Sequence, residues 1–512
     1  MNNEKFDFEN LFTFEMANNH QGSVEHGKRI ITEMAAITRT YNLKAAVKLQ
    51  FRNLDTFIHP EYRNREDVKH IPRFVATELS KEQFTELVQV TREMGMYTMA
   101  TPFDEDSIEL IKSTNVDIVK VASCSAMDWP LLEEIAKVGK PTIVSVGGLS
   151  LPEIDRVVSF FEHRGVDFAL MHCVAVYPTP VEAMFLKQID IFKKRYPKIT
   201  IGFSTHEAPT DTSMIGLAYA KGARIFEKHV GVPTETIKLN AYSTSPEQTR
   251  AWVEAYLIAK AACGDEMSQR VIRDAEKADL KSLARAVFAK ADIKKGQVIT
   301  RKDVFFAMPI LSDSNLRSGD FKEGMIATRD YPQGLPLDRY LVEEAVSDKD
   351  IVYESVRAVK AMLNEAKIHL SHEFTVELSH HYGLNNFKKV GCFIIDCFNR
   401  AYAKKLLIQL PGQAHPTHYH KKKDETFQVL FGTIEVDVEG KKRIMGPGEV
   451  LWLPAGVWHS FRTETGVIVE EISTTALELQ GDSYYVDRVI SDLPREKRKT
   501  RLANWGRYQF EK

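Results

Sequence analysis

The first half of the chain is an alternation, and that alternation limits its fold more than any single motif. Eight β-type runs follow one another within about 260 residues: LFTFEMA, KAAVKLQF, MYTMATPF, DIVKVAS, PTIVSVGG, DFALMHCVAV, ITIGFSTH and RIFEKHV. Stretches of helical period lie between them, such as SKEQFTELVQVTREMG, LPEIDRVVSFFEHRG and DTSMIGLAYAKG, and several stop at glycine, as helix ends commonly do. Strands that alternate with helices imply a parallel sheet with helical crossovers. Eight repeats in this length predict an α/β fold, a (β/α)8 TIM barrel over residues 1–275. A doubly wound sheet is the alternative, because periodicity carries no information on closure.

Polar residues collect late in these runs or just after them: Glu15, Lys48, Gln50, Thr101, Lys120, Ser123, Ser145, Ser204, His206, Glu227 and His229. Barrel active sites are assembled at the C-terminal strand ends. A single polar residue there needs no more explanation than the start of water. Two lysines, two glutamates and two histidines together are too costly to bury without partners or a ligand. In RIFEKHV, strand alternation puts Glu227 and His229 toward the barrel mouth and Lys228 toward the helices. His206 and His229, from adjacent strand ends, are placed to share a divalent metal. Lys48 and Lys120, with Thr101, Ser123, Ser145 and Ser204, can surround a phosphate and a carboxylate, while Glu15 and Glu227 accept from sugar hydroxyls or take a proton. A cationic, hydroxyl-rich cup beside a metal that polarises a carbonyl suits an anionic phospho-substrate.

Composition removes several other classes. Lys plus Arg (68) nearly cancel Asp plus Glu (70), so no net field draws the chain to nucleic acid or to an anionic membrane. Cys124, Cys173, Cys263, Cys392 and Cys397 are an odd set without paired spacing, which argues for a reducing compartment. The start lacks the basic-then-apolar order of a signal peptide, and no apolar run is long enough to span a bilayer. A cytoplasmic protein is the expectation.

Residues 280–345 read as a small β-rich module with a KKGQ turn, and 346–370 as a linker helix with a solvated, mixed-charge face. From 371 to 490 the pattern is all-β, with Gly and Pro turns every eight to twelve residues. The basic tail, 491–512, reads as a solvated or docking segment rather than a nucleic-acid binder. Within the all-β part, Gly412 to Gly432 fits G-x5-H-x-H-x4-E-x6-G and Gly448 to His459 fits G-x5-P-x-G-x2-H, the two cupin motifs. His418, His420, Glu425 and His459 are therefore the expected ligands of a second divalent metal. His415 reads as a surface or neighbouring residue. Cupins include sugar isomerases, dioxygenases and inert binding modules, so the fold leaves catalytic, regulatory and structural roles open.

EMANNHQG, AAVKLQ, ATPFDEDSIELI, VKVASCSAMDWPLL, GKPTIVSVGGLSLPEI, HCVAVYPTP, IGFSTHEAP and GARIFEKHV, in this order, resemble the N-acetylneuraminate (sialic acid) synthases over roughly residues 11–345. ARAVFAKADIKKGQVITRKDV resembles their antifreeze-like (SAF) domain. The resemblance implies a phosphoenolpyruvate-dependent, C–C bond-forming transferase that condenses an aldose to a 3-deoxy-2-keto sugar acid plus phosphate, in surface polysaccharide biosynthesis. It implies that Lys48, Thr101, Lys120, Ser123, Ser145 and Ser204 bind phosphoenolpyruvate, and that His206 and His229 hold Mn²⁺, with Zn²⁺ or Co²⁺ as alternatives. Glu15, Gln50, Tyr177 and Glu227 would meet the acceptor sugar, with Glu15 a candidate for proton transfer. A homodimer, the SAF module of one chain covering the partner's barrel mouth, is also implied.

The chain departs from that family on the acceptor side. Ala175 replaces a polar residue, SDHT becomes STHE with Thr205 in the Asp position, and Asn240 stands near a sugar-binding Asp. Met308 replaces an arginine of the SAF module, for which Arg317 is the possible substitute. These changes predict an acceptor other than N-acetylmannosamine. The alternatives are a shorter 3-deoxy-ulosonate synthase, or an inactive barrel whose cupin acts as a metal-dependent sugar isomerase or binding module.

Overall fold

The computed structural model describes residues 5–204, 206–264, 270–339, 342–343, 348–474 and 482–506, in two compact units divided between Val271 and Ile272. In the first unit, each of the eight β-type runs holds one strand: β1 (Leu11–Glu15), β2 (Lys44–Phe51), β3 (Tyr97–Pro102), β4 (Ile118–Val121), β5 (Thr142–Ser145), β6 (Phe168–Cys173), β7 (Ile201–Ser204) and β8 (Ile225–His229). They close into a barrel of parallel strands in sequence order. β1 pairs with β8 from Leu11–Ile225 to Glu15–His229, which excludes the doubly wound alternative.

Outward residues such as Phe12, Phe14, Val47 and Leu49 pack with Ile30, Ile31 and Met34 of the helix Val24–Tyr41 in the main core. Helix starts are set locally. Ser80 with Gln83 and Ser245 with Gln248 form capping boxes, each satisfying two backbone donors that the first turn leaves open.

Inward residues form layers. Leu11, Ala46, Met99, Ile118, Ile143 and Ile225 belong to a separate apolar cluster that plugs the barrel. Two residues further along the same strands come Thr13, Lys48, Thr101, Lys120, Ser145 and Glu227, all buried. The strand period of two thus turns one apolar layer into one polar layer above it. Gly202 is fixed by the plug: a Cβ there would lie 2.8 Å from Ile225 Cβ and 3.0 Å from Met171 Cγ.

The second unit has two parts. β9 (Ala286–Ala289) pairs with β11 (Val304–Ala307), and β10 (Val298–Ile299), β12 (Met325–Ala327) and β13 (Val342–Glu343) form a three-stranded sheet. Val287, Ile299, Val304, Leu316, Met325 and Tyr331 give this part a core of its own. The rest is a pair of antiparallel sheets. The larger has the order β21-β18-β23-β16-β15-β14-β25, made of Val450–Leu453, Glu425–Gly432, Val467–Thr474, Tyr402–Gln409, Cys392–Asn399, Thr375–Ser379 and Lys499–Ala503. The smaller runs β20-β19-β22-β17-β24, made of Lys441–Met445, Ile434–Val438, His459–Arg462, Ala414–Tyr419 and Tyr484–Tyr485.

Two segments are tied into the sheet more closely than their sequence reading requires. The helix Asp348–Glu365, expected as a linker with a solvated charged face, buries its other face, Val352, Val356, Val359 and Leu363, against Leu406, Ile408 and Ile468 of the larger sheet. Its mixed charges occupy the opposite face. The basic tail, read as a solvated or docking segment, docks: it contributes β25, which pairs with β14 and buries Leu502. Among the described residues no helix is long and apolar enough to cross a membrane, and all five cysteines are free thiols.

Gly202→Ala should lower stability by about 1–3 kcal/mol, the usual cost of overpacking. Thermal unfolding of the full chain checks this, with Gly148→Ala as a comparison in which the Cβ meets open space but the positive φ costs strain.

Candidate active site and metal centre

At the top of the plug, the strand ends bring charge of both signs into one buried layer. Lys48 Nζ lies 2.6 Å from Glu15 Oε2 and 2.7 Å from Glu227 Oε1. Ser204 Oγ donates to the same Glu227 oxygen at 3.1 Å. Lys120 Nζ donates to Ser145 Oγ at 2.6 Å and stands 3.7 Å from Glu227 Oε2, which accepts no hydrogen bond from a described residue. Burial opposes the charge on Lys48, but Glu15 and Glu227 outweigh it and hold its pKa above the ordinary lysine value. For Lys120 burial dominates and lowers the pKa, with Glu227 only partly offsetting it. Burial would raise the Glu227 pKa, yet the two lysines hold it far below the usual carboxylate range.

The remaining expected residues surround this layer. Gln50 Nε2 reaches Glu15 Oε2 at 3.4 Å, and the Ala17 N–H donates to Glu15 Oε1 at 2.6 Å. Ser123 Oγ accepts from the Gly147 N–H at 3.0 Å. Thr101 Oγ1 is buried without a partner among the described residues. Lys228, on the other face of β8, is spent on Glu207 Oε1 at 2.8 Å.

His206 and His229 are neighbours, with ring centroids 5.2 Å apart. His206 Nδ1 donates to the Val174 carbonyl at 3.1 Å, which leaves Nε2 as a bare lone pair. His229 Nδ1 is buried without a partner. Burial lowers the His206 pKa to about 4 and puts that of His229 well below its ordinary value. Both rings are therefore neutral ligands at neutral pH, so the donor set fits a divalent ion with open positions. Tyr177 packs on His206 at 4.0 Å between centroids, and Tyr242 packs on His229 at 5.1 Å. Asn240 is drawn into its own loop: Oδ1 accepts from the backbone N–H of Tyr242 and Ser243. Thr205 lies outside the described residues.

The cupin half carries the denser metal geometry. His418, His420 and His459 place one nitrogen each within 4.8 Å of one another. Their Nδ1 atoms donate to the carbonyls of Pro416, Asp482 and Val457, so all three Nε2 lone pairs face inward. Glu425 stands beside them, Oε2 3.4 Å from His459 Nε2, while Oε1 is gripped by Lys423. Lys423 also bonds Glu471 Oε1 at 2.6 Å. His415 is not at the surface: it stacks on Phe461 and shares a 3.0 Å Nε2–Nε2 hydrogen bond with His381.

Sequence reasoning missed several of these partners. Arg52 Nη2 donates to Gln50 Oε1 at 2.7 Å, with the guanidinium 4.2 Å from the Phe74 ring and 3.8 Å from Phe103. It continues the inward parity of Lys48 and Gln50, which was the signal available. Tyr242, Glu207, Lys423, Glu471 and His381 had no comparable periodicity to mark them.

Comparison with known proteins places this geometry in a family. Residues 37–268 match the NeuB family model, and residues 406–473 match the cupin domain model. A crystal structure provisionally described as spore coat polysaccharide biosynthesis protein E from Chromobacterium violaceum is 41% identical, with a TM-score of 0.62. That match covers 66% of this chain and all of the other. The chain belongs to the NeuB family. Human N-acetylneuraminate-9-phosphate synthase is 27% identical over 56% of this chain and 79% of its own length. The N,N'-diacetyllegionaminic acid synthase of Campylobacter jejuni is 24% identical over 63% and 97%. As a NeuB-family member, the chain is an enzyme of the sialic acid synthase kind with an added cupin domain.

Lys423→Met should destabilise the chain by about 3–5 kcal/mol, because it leaves Glu425 and Glu471 buried without their shared cation. Chemical denaturation of the full chain measures this.

Proposed function

We propose that the barrel joins phosphoenolpyruvate to an aldose and releases phosphate, giving a 3-deoxy-2-keto sugar acid of the nonulosonate type for surface polysaccharide synthesis. The observation that carries this reading is the position of Lys48 and Lys120 around Glu227, one layer above the plug and beside the His206–His229 pair. C3 of phosphoenolpyruvate forms the new bond to the aldehyde carbon, water adds at C2, and the C2–O bond to phosphate breaks. The relatives named as synthases of sialic and legionaminic acids support the same class.

Lys120, whose nearest carboxylate oxygen is 3.7 Å away, and Lys48 would take the phosphate and carboxylate, with Thr101, Ser123, Ser145 and Ser204 donating hydroxyl hydrogen bonds. The unpartnered Thr101 Oγ1 fits that assignment. His206 and His229 would hold a divalent ion, Mn²⁺ in this oxygen-rich setting, which when bound supplies Lewis-acid polarisation of the aldehyde oxygen. Glu15 and Glu227 accept from sugar hydroxyls, Glu15 is placed to move a proton, and Tyr177 and Gln50 orient the sugar. His418, His420 and His459, with Glu425, would hold a second ion in the cupin.

The acceptor side supports a sugar other than N-acetylmannosamine. Ala175 offers no side-chain hydrogen bond, Asn240 spends its carbonyl oxygen on its own loop, and Met308 is an exposed thioether where a guanidinium is expected. Loss of one charged hydrogen bond costs about 1.5–3 kcal/mol, enough to redirect specificity. In this proposal the small module covers the barrel mouth of a second copy, with Arg317 in place of the missing arginine.

Phosphate release from phosphoenolpyruvate should depend on an aldose, disappear on chelation and return with Mn²⁺. His206→Ala and Lys120→Met should each reduce it by about a hundredfold or more, the order of loss for removing a transition-state charge partner, while His418→Ala leaves it intact. Mass spectrometry of products from a panel of aldoses identifies the acceptor. Clear preference for N-acetylmannosamine would refute the acceptor reading, and loss with His418→Ala instead of His206→Ala would move the chemistry to the cupin.

A further inference from the structure

The cupin half contains a cavity of about 570 Å³ that the barrel reaction leaves unused. Its size is ordinary for a small-molecule site, ~300–1,000 Å³. His418 and His420, two of the three inward imidazoles, line it together with Glu425, and His459 stands beside them. Elsewhere the wall is charged, and most of that charge is already committed. Glu377 is held by Lys499 and lies 3.3 Å from Arg501 Nε. Lys423 divides itself between Glu425 and Glu471. The Asp482 carboxylate accepts from the backbone N–H of Lys421, Lys422 and Lys423. Lys405 stands 3.9 Å from Asp396.

Arg498 differs from the others. Arg498 lines the same cavity, and its guanidinium lies over the ring of Tyr485, another lining residue, at 5.6 Å, with Nε buried and without a hydrogen-bond partner. Among the described residues, no carboxylate oxygen comes within 4 Å of it. The backbone fixes its position, because the His380 N–H donates to the Arg498 carbonyl and the next residue, Lys499, pairs with Ser379. The basic tail is therefore part of the cavity wall.

Side-chain charge on the lining balances, with five cations against five carboxylates. A divalent ion on the three imidazoles would leave the cavity two charges positive, with an uncommitted guanidinium facing it. Polar groups without charge complete the wall: Ser379, Asn399, Ser483 and Tyr485 line it, and His381 Nδ1 is buried without a partner. That combination suits neither a neutral sugar nor an apolar molecule.

We propose that this cavity is a second ligand site and that it takes a sugar carrying a carboxylate or a phosphate, with the anion on Arg498. The proposal rests on the reading of His418, His420 and His459 as a metal site, and it is independent of the barrel reaction. Calorimetric titration tests it, using the full-length chain with His206→Ala and Lys120→Met to remove metal and anion binding in the barrel, loaded with Mn²⁺. D-glucuronate and glucose 6-phosphate are the anionic probes, and glucose is the neutral one.

At least one anion should bind while glucose does not, and the preferred anion distinguishes carboxylate from phosphate. R498Q should weaken that binding about tenfold or more, as expected for loss of a charge-assisted hydrogen bond, with Mn²⁺ uptake and melting temperature unchanged. R498K, which keeps the charge, should recover part of the affinity. Failure of both anions to bind, glucose binding as tightly as the anions, or an R498Q affinity equal to the parent's would each overturn the proposal. Absent Mn²⁺ uptake with Arg498-dependent anion binding intact would sustain the anion site and overturn the metal reading alone.

Discussion

A carboxylate set between two lysines, sealed beneath a barrel rim, is the interaction around which the first unit is built. Glu227 is buried, and so are Lys48 and Lys120. Desolvating any one of them alone would cost several kcal/mol, so each is tolerated only because the others are there. Their partnership in turn requires a closed barrel. Lys48 and Glu227 are 179 residues apart, on β2 and β8, and the intervening β1 bonds to both strands. Closure and charge pairing are one condition seen from two sides.

The cupin applies the same rule with the signs exchanged. There, one lysine is shared by two glutamates, and three imidazoles are locked by backbone carbonyls into the tautomer that points a lone pair inward. Glu425 serves two environments at once: it neutralises Lys423 through one oxygen and leaves the other beside His459. Both halves of the chain therefore hold buried ionic groups that are individually costly and jointly stable. Such groups mark where binding and chemistry concentrate.

What was legible in the sequence followed from period. Alternation places Lys48, Lys120, Ser145 and Glu227 on inward positions one step above Ala46, Ile118, Ile143 and Ile225, and a reader of the sequence can count those steps. The cupin histidines were legible because their spacing is rigid. Closure was not, since no local pattern encodes which strand is the last neighbour of the first. Nor were Glu207 and Glu471, whose roles come from lysines on other strands or loops. The helix Asp348–Glu365 was half legible: its charges mark the solvated face, whereas Val352, Val356, Val359 and Leu363 form the stripe that decides where it lies. Asn240 was found by resemblance, but its turn hydrogen bonds depend on loop geometry that sequence does not specify.

The pairing of β14 with β25 also has a bearing on how the protein is made. Every backbone bond of that ladder joins residues 375–379 to residues 499–503, so β14 is the bare edge of the larger sheet until β25 has left the ribosome and becomes the edge strand in its place. The barrel waits less, because its final strand ends at His229 and the helix Pro246–Cys263, which buries Trp252 and Tyr256 in its core, follows within the first unit. The nascent chain would thus carry a finished barrel while its second unit waits, with an unpaired strand exposed to any neighbouring polypeptide during that interval.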